Sequence, residues 1–81
     1  MIIKYFAWVK DITNKDWEEI NKNQPNNIDE LKIFLINLYP ELEKHIKKDI
    51  LRYAINMEYI STNQILNSTD EVAIFPPVSG G

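Results

Sequence analysis

Residues 27–40 read Asn27-Ile-Asp-Glu-Leu-Lys-Ile-Phe-Leu-Ile-Asn-Leu-Tyr-Pro40, and this stretch decides the fold. Its apolar residues recur at helical spacing, which predicts an amphipathic helix with one face in the core. Asn27 takes the N-cap position and Glu30 follows three residues later, as in a capping box. The helix is expected to end at Tyr39, because a residue that precedes proline avoids the α region. The stripe predicted to be core consists of Ile28, Leu31, Leu35 and Leu38, widened by Phe34.

The chain before this helix is predicted to form two strands. Residues 2–9 are β-branched and aromatic and contain no strand breaker, which predicts the first strand. Residues 10–14 are expected to make a short helical turn. Residues 16–21 predict a second strand with poor alternation, and residues 23–27 a loop.

The chain after the helix is predicted to return to the sheet. Pro40 opens a second short helix, since proline is favoured at the first helical position. The apolar pattern predicts strands at residues 51–56 and 71–75. Between them, a tight turn at residues 57–58 leads into a short strand at residues 59–60.

These elements give one long helix that crosses a small mixed sheet. The first and last strands are the most apolar, as expected of central strands. This is the outline of a ubiquitin-like β-grasp, of the α+β class. We predict a single domain at residues 1–75, followed by an extended functional tail at residues 76–81 that ends in Gly80-Gly81.

Composition excludes several functional classes. Nine basic and twelve acidic residues give a net charge of −3 and a pI of about 5.0, whereas a nucleic-acid-binding protein presents a basic face. No apolar run approaches the roughly 20 residues of a membrane span, and the first residues lack the pattern of a signal peptide. The absence of cysteine excludes thiolate metal sites and cysteine nucleophiles and fits a reducing compartment. We therefore expect a cytoplasmic protein.

Glycine occurs only at Gly80 and Gly81. A phosphate-cradling loop needs internal glycine, so no such loop is expected. The single histidine, His45, lies in a polar segment, which favours a solvated side chain over a metal ligand. We therefore expect neither a self-contained active site nor a metal site.

The tail has a composition suited to a narrow channel. Its two prolines restrict φ after the last strand. The terminal glycines have no Cβ to obstruct passage or access to the carbonyl carbon. Fully extended, the tail reaches about 20 Å beyond Phe75. The residues predicted to insert are Pro76, Pro77, Val78, Ser79, Gly80 and Gly81.

The C-terminal sequence Asp70-Glu-Val-Ala-Ile-Phe-Pro-Pro-Val-Ser-Gly-Gly81 resembles the end of the small sulfur-carrier subunits of molybdopterin synthase. These MoaD-type proteins belong to the ubiquitin-like MoaD/ThiS family. Residues 3–11 resemble the first strand of that family, and residues 54–56 its central strand. The resemblance covers the whole chain, and the Phe-Pro-Pro-Val-x-Gly-Gly ending is its specific part.

The resemblance implies a carrier cycle. An adenylating enzyme similar to ubiquitin-activating (E1-like) enzymes uses ATP and magnesium to activate the Gly81 carboxylate. Sulfur then replaces AMP to give a thiocarboxylate, which donates sulfur to cyclic pyranopterin monophosphate in molybdopterin biosynthesis. The resemblance also implies a non-catalytic subunit that binds no cofactor itself. Its partner is the large subunit, in a heterotetramer of two small and two large subunits.

Strand alternation places a candidate docking surface. If Ile3, Tyr5 and Ala7 face the helix, then Lys4, Phe6 and Trp8 face away, and Phe75 faces away on the last strand. Tyr59 is expected to join the two phenylalanines, and an exposed apolar cluster often marks a partner site. Lys10, just after the first strand, is a candidate to pair with an acidic group of the partner. The predicted partner-binding residues are Phe6, Lys10, Tyr59 and Phe75.

Two other functions stay open from the sequence. One is a sulfur carrier for thiamine synthesis or tRNA thiolation, and the other is a ubiquitin-like modifier whose tail forms isopeptide bonds. The Phe-Pro-Pro segment favours the molybdopterin pathway, because thiamine-pathway carriers usually lack it.

Overall fold

The computed structural model describes residues 1–77. Within them, five strands and three α-helices follow in the order βαβααβββ. A single 3-10 turn, Pro40–Leu42, precedes the last helix. The elements are β1 (Ile2–Tyr5), α1 (Trp8–Thr13), β2 (Trp17–Glu19), α2 (Ile28–Leu38), α3 (Glu43–Lys47), β3 (Arg52–Ile55), β4 (Glu58–Ile60) and β5 (Glu71–Phe75).

The strands form one mixed sheet in the order β2-β1-β5-β3-β4. The first and last strands pair in parallel, with Ile3 opposite Val72 and Tyr5 opposite Ile74. The other pairs are antiparallel. The buried face of α2 shares one core with these inward residues. This arrangement confirms the predicted ubiquitin-like β-grasp. The division into a domain and a tail at residue 76 stays a prediction.

Helix α2 begins as predicted. The Asn27 side chain accepts a hydrogen bond from the Glu30 amide at 2.8 Å, and the Glu30 carboxylate accepts one from the Asn26 amide at 3.1 Å. The buried stripe is shorter than predicted, because Leu38 is 46% exposed. Leu38 lies in the last turn of α2, rotated towards the edge of the apolar face. The fully buried Leu42 of the following turn completes the core at this end.

The first strand ends earlier than predicted. Ala7 has φ of 54°, in the left-handed half of backbone space, and α1 begins at Trp8. The predicted alternation is therefore wrong at Ala7, which is exposed, and at Trp8, which is part of a helix. Val9 and Thr13 are both buried. Their spacing of four residues is helical, so burial of the α1 face outweighs the β propensity of this segment.

The β3–β4 hairpin turns one residue earlier than predicted, at Asn56 and Met57. Both have positive φ, 50° and 70°, as a two-residue type I′ turn requires. The Asn56 side chain donates to the Asp70 carboxylate at 2.9 Å and accepts from the Glu71 amide at 3.0 Å. These bonds join the hairpin to the start of β5 and explain why asparagine occupies this strained position.

One charged group lies on the helix-facing side of the sheet. The Glu18 carboxylate on β2 accepts hydrogen bonds from the phenols of Tyr5 on β1 and Tyr39 after α2. Burial opposes its charge, but the bonds from Tyr39, Tyr5 and Lys15 outweigh burial and lower the pKa of Glu18. Burial and the nearby carboxylate raise the pKa of Tyr39 to about 12. The cluster ties the edge strand to the end of the main helix.

Candidate docking face and tail exit

The sheet has one covered face and one outer face. Helix α2 covers the side that carries Ile3, Val72 and Ile74, all with no exposed surface. Side chains alternate along a strand, so their neighbours point away from the helix. Strand pairing sets these neighbours in one row across the outer face, which reads Trp17, Lys4, Ala73, Ala54 and Tyr59 from edge to edge.

Two aromatic rings meet on this outer face, and a third aromatic residue lies beside them in the strand register; we call the three residues the aromatic patch: Phe6, Tyr59 and Phe75. The rings of Tyr59 and Phe75 meet edge to face, with centroids 5.3 Å apart. The Phe6 amide donates to the Ile74 carbonyl at 3.1 Å, which continues the β1–β5 ladder and sets Phe6 beside Phe75. Phe6 is 47% and Tyr59 65% exposed. The patch therefore offers apolar surface that the domain itself leaves uncovered.

The patch lies where β5 ends. Phe75 is the last residue of β5, and the half-buried Pro76 and exposed Pro77 follow. The chain thus leaves the sheet beside the aromatic rings. Residues Val78, Ser79, Gly80 and Gly81 lie outside the described residues, so their predicted roles, and the insertion of Pro76 and Pro77, stay predictions.

Lys10 is already ion-paired within the chain. Its ammonium lies 2.6 Å from the Asp16 carboxylate, and this hydrogen bond raises the pKa of Lys10. A partner carboxylate would have to displace Asp16. The predicted role of Lys10 in partner binding stays a prediction. The sequence did not reveal that Asp16 would compete with a partner carboxylate for this lysine.

Sequence reasoning missed two outer-face residues near the patch. Arg52 is the register partner of Phe75, and Trp17, on the edge strand, is 57% exposed. Only the β3–β5 register brings Arg52 beside Phe75. No local pattern in the sequence encodes that register.

Two further features would bear on function: a group of metal-ligating side chains and a membrane-spanning helix. Across residues 1–77, no three histidine, aspartate or glutamate side chains are grouped to hold a metal ion. In the same range, no helix has the length and apolar character needed to cross a bilayer. The main exposed feature next to the end of β5 is the aromatic patch.

Comparison with known proteins places the chain in a family. Residues 3–81 match the ThiS family. The chain belongs to the ThiS family. This confirms the resemblance that the C-terminal motif indicated.

Two relatives of this ThiS-family chain carry the same name. The molybdopterin synthase sulfur carrier subunit of Dictyostelium discoideum is 41% identical over 86 residues, covering 98% of this chain and 93% of the relative. The protein of that name from Chlamydomonas reinhardtii is 28% identical over 81 residues, covering 98% and 95%.

Solved structures share the fold. SAMP1 from Haloferax volcanii superimposes with a TM-score of 0.78 at 23% identity, covering 99% of this chain and 97% of that one. A putative molybdopterin converting factor, subunit 1, from Pyrococcus furiosus gives a TM-score of 0.80 at 24% identity, covering 95% of each chain. The β-grasp of this ThiS-family chain is therefore found in solved structures over nearly its full length.

Proposed function

We propose that this ThiS-family chain is the sulfur carrier subunit of a molybdopterin synthase. The relatives of that name support the pathway. One structural observation carries the mechanism: an uncovered aromatic patch lies where β5 gives way to the proline-stiffened tail. A domain that docks with this patch presents its own C-terminus to the partner.

The chemistry of the terminus requires activation. An α-carboxyl group has a pKa of roughly 3.3–3.7, so it is ionised at neutral pH and is a poor electrophile. In the proposed cycle, the Gly81 carboxylate attacks the α-phosphorus of ATP and releases pyrophosphate. Hydrosulfide, or a persulfide whose acyl disulfide product is then reduced by a thiol, attacks the carbonyl carbon, so that a C–S bond forms, the C–O bond to phosphorus breaks and AMP leaves. The resulting thiocarboxylate is anionic, and ionised sulfur is the nucleophilic form.

The catalytic groups belong to the partners in this proposal. The E1-like enzyme uses ATP and magnesium, and the large subunit holds cyclic pyranopterin monophosphate. This chain contributes the reactive terminus and the docking surface and binds no cofactor. The assembly is a heterotetramer of two small and two large subunits, located in the cytoplasm.

The aromatic patch offsets the entropy of tail ordering. Fixing one backbone residue costs roughly 1–2 kcal/mol, and six tail residues enter the channel. Pro76 and Pro77 reduce that cost because they narrow the free ensemble. Burying a large apolar side chain contributes roughly 1.5–3 kcal/mol. Phe6 and Phe75 together therefore offset the ordering of several tail residues.

Intact mass spectrometry tests the proposal. The chain is incubated with the E1-like enzyme, ATP, magnesium and a sulfur source, and the expected product has one oxygen of Gly81 replaced by sulfur. The matched control lacks Gly81 and should stay unmodified. If the chain stays unmodified where a known carrier is thiolated, the proposal is wrong. Isopeptide-linked conjugates through Gly81 would indicate a protein modifier instead.

A further inference from the structure

A cleft of about 270 Å³ lies beside the aromatic patch, where strand β4 ends. Tyr53 of β3 pairs with Ile60, the last residue of β4. Arg52, one residue earlier on β3, therefore has a ladder partner only on the β5 side, in Phe75. Helix α2 and residues 61–63 close the cleft from the other sides. Tyr59 lines the cleft and also belongs to the patch, so the two are continuous.

The cleft carries a net positive charge in a chain whose net charge is −3. Lys32 and Arg52 contribute two cations, and Asp49 contributes the one anion among its lining residues. Within residues 1–77, none of these three side chains is in an ion pair. The Lys32 ammonium instead lies 5.6 Å from the centroid of the Tyr53 ring. The site therefore has a positive charge available to an incoming carboxylate.

The guanidinium of Arg52 is held in place. Its Nη1, whose two hydrogens are shared among three acceptors, lies within hydrogen-bond distance of the carbonyl oxygens of Asp49 at 2.8 Å, Leu51 at 3.1 Å and Ile50 at 3.3 Å. Within residues 1–77, Nε and Nη2 of Arg52 donate no hydrogen bond. This pair of nitrogens is the one that can bind a carboxylate with two parallel hydrogen bonds. A group already fixed in its bound position loses little entropy on binding.

The Tyr53 phenol adds a neutral donor to the same cleft. Burial, with a smaller contribution from the charge of Asp49, raises the pKa of Tyr53 to about 12. The phenol therefore keeps its proton at neutral pH.

We propose that this cleft binds the carboxylate of an acidic side chain of the molybdopterin synthase large subunit. Its lining of two cations and one anion complements a single carboxylate. Its continuity with the patch through Tyr59 places that side chain at the edge of the same interface. This inference rests on the proposed function.

Isothermal titration calorimetry with the large subunit from the same organism tests whether the charges of the cleft contribute to binding. Lys32→Gln and Arg52→Gln should each weaken binding by about tenfold or more at low salt, as expected for truncating one partner of a hydrogen-bonded charge pair. Asp49→Asn removes the opposing charge and should tighten binding several-fold. Asparagine tolerates the positive φ of 55° at this position. All three differences should shrink in high salt, because salt screens exposed charges.

Two controls separate charge from structure. Lys44→Gln removes an exposed lysine from α3, away from the cleft, and should bind like the wild type. Arg52→Lys keeps the charge but loses the planar fork, so its affinity should fall between those of the wild type and Arg52→Gln. Lys32→Gln and Asp49→Asn touch none of the carbonyl bonds of Arg52, so a folding defect in the arginine variants leaves the test intact.

The outcomes distinguish failure of the cleft proposal from failure of the proposed function. If Lys32→Gln and Asp49→Asn bind like the wild type while Phe75→Glu is weakened, the cleft proposal is wrong and docking through the patch stands. If the wild-type chain does not bind the large subunit, both proposals are wrong. Weakening by Lys32→Gln together with tightening by Asp49→Asn supports the cleft.

Discussion

The two faces of strand β5 lie in different environments. Val72 and Ile74 point to α2 and are fully buried, whereas Ala73 and Phe75 point to the outer face. The inward pair belongs to the core. The outward pair lies on the face that carries the aromatic patch, where β5 ends. One five-residue strand thus supports both the stability of the domain and the proposed docking, and substitutions on its two faces should separate the two properties.

The largest effect is expected at the tail itself. Deleting Gly81, or appending one residue after it, should abolish sulfur transfer, because the reactive carboxylate is lost or displaced. The melting temperature should hardly change, because the tail is predicted to begin at residue 76, after the domain. Single-turnover sulfur transfer and thermal unfolding check the two halves of this prediction. A marked fall in melting temperature would show that the tail is structural.

A substitution on the inward face should destabilise the domain. Ile74→Ala removes methylene groups from a fully buried site and should lower the free energy of unfolding by about 2–5 kcal/mol. Phe75→Ala, on the opposite face of the same strand, is the matched control and should cost much less. Urea unfolding of the two variants measures the difference. Equal losses would mean that the outer face is part of the core.

Substitutions on the outward face of β5 and its neighbour β1 should lower the affinity for the large subunit. Phe75→Glu or Phe6→Glu should weaken binding of the large subunit by roughly 2 kcal/mol or more, as at an interface hot spot, with little change in stability. Phe75→Ala should weaken it less. Calorimetric titration and thermal unfolding of the same preparations give both quantities. Normal binding of the glutamate variants would contradict the docking role of the patch.

The smallest effect is expected at the Glu18 cluster. Glu18→Gln removes the negative charge that accepts hydrogen bonds from two phenols, and it should lower the free energy of unfolding by about 1–2 kcal/mol. Because the folded-state pKa of Glu18 is lowered, its contribution is full above the ordinary carboxyl value of 4.5 and is lost as the pH falls through the lower folded value. Acid unfolding of the variant and the wild type should therefore converge at low pH. A constant difference across pH would contradict this linkage.

The elements that sequence predicted well are those whose signals are local. The cap at Asn27 and the strand Glu71–Phe75 follow from side-chain hydrogen bonding and apolar content within a few residues. The end of β1 depended on positive φ at Ala7 and on burial of Val9, which only tertiary packing decides. Arg52 was missed for a similar reason, because its place beside Phe75 comes from strand register.

The predictions for the candidate site also divide into those set by local sequence and those set by tertiary structure. The outward aromatics follow from strand alternation, and the role of the tail stays a prediction from composition. The ion pair of Lys10 with Asp16, by contrast, requires the turn after α1. That turn uses positive φ at Asn14. Contacts set by such backbone conformations are invisible to a periodic pattern, although each rests on ordinary charge attraction.

The most direct test of the carrier role is a single-turnover reaction. Thiocarboxylated chain is mixed with the large subunit and cyclic pyranopterin monophosphate, and the masses of the chain and the pterin product are followed together. A dithiolene contains two sulfur atoms, so the account predicts that two thiocarboxylated chains revert to carboxylate for each molybdopterin formed. Molybdopterin formed without loss of sulfur from Gly81, or a thiocarboxylate that stays intact in the complex, would contradict it.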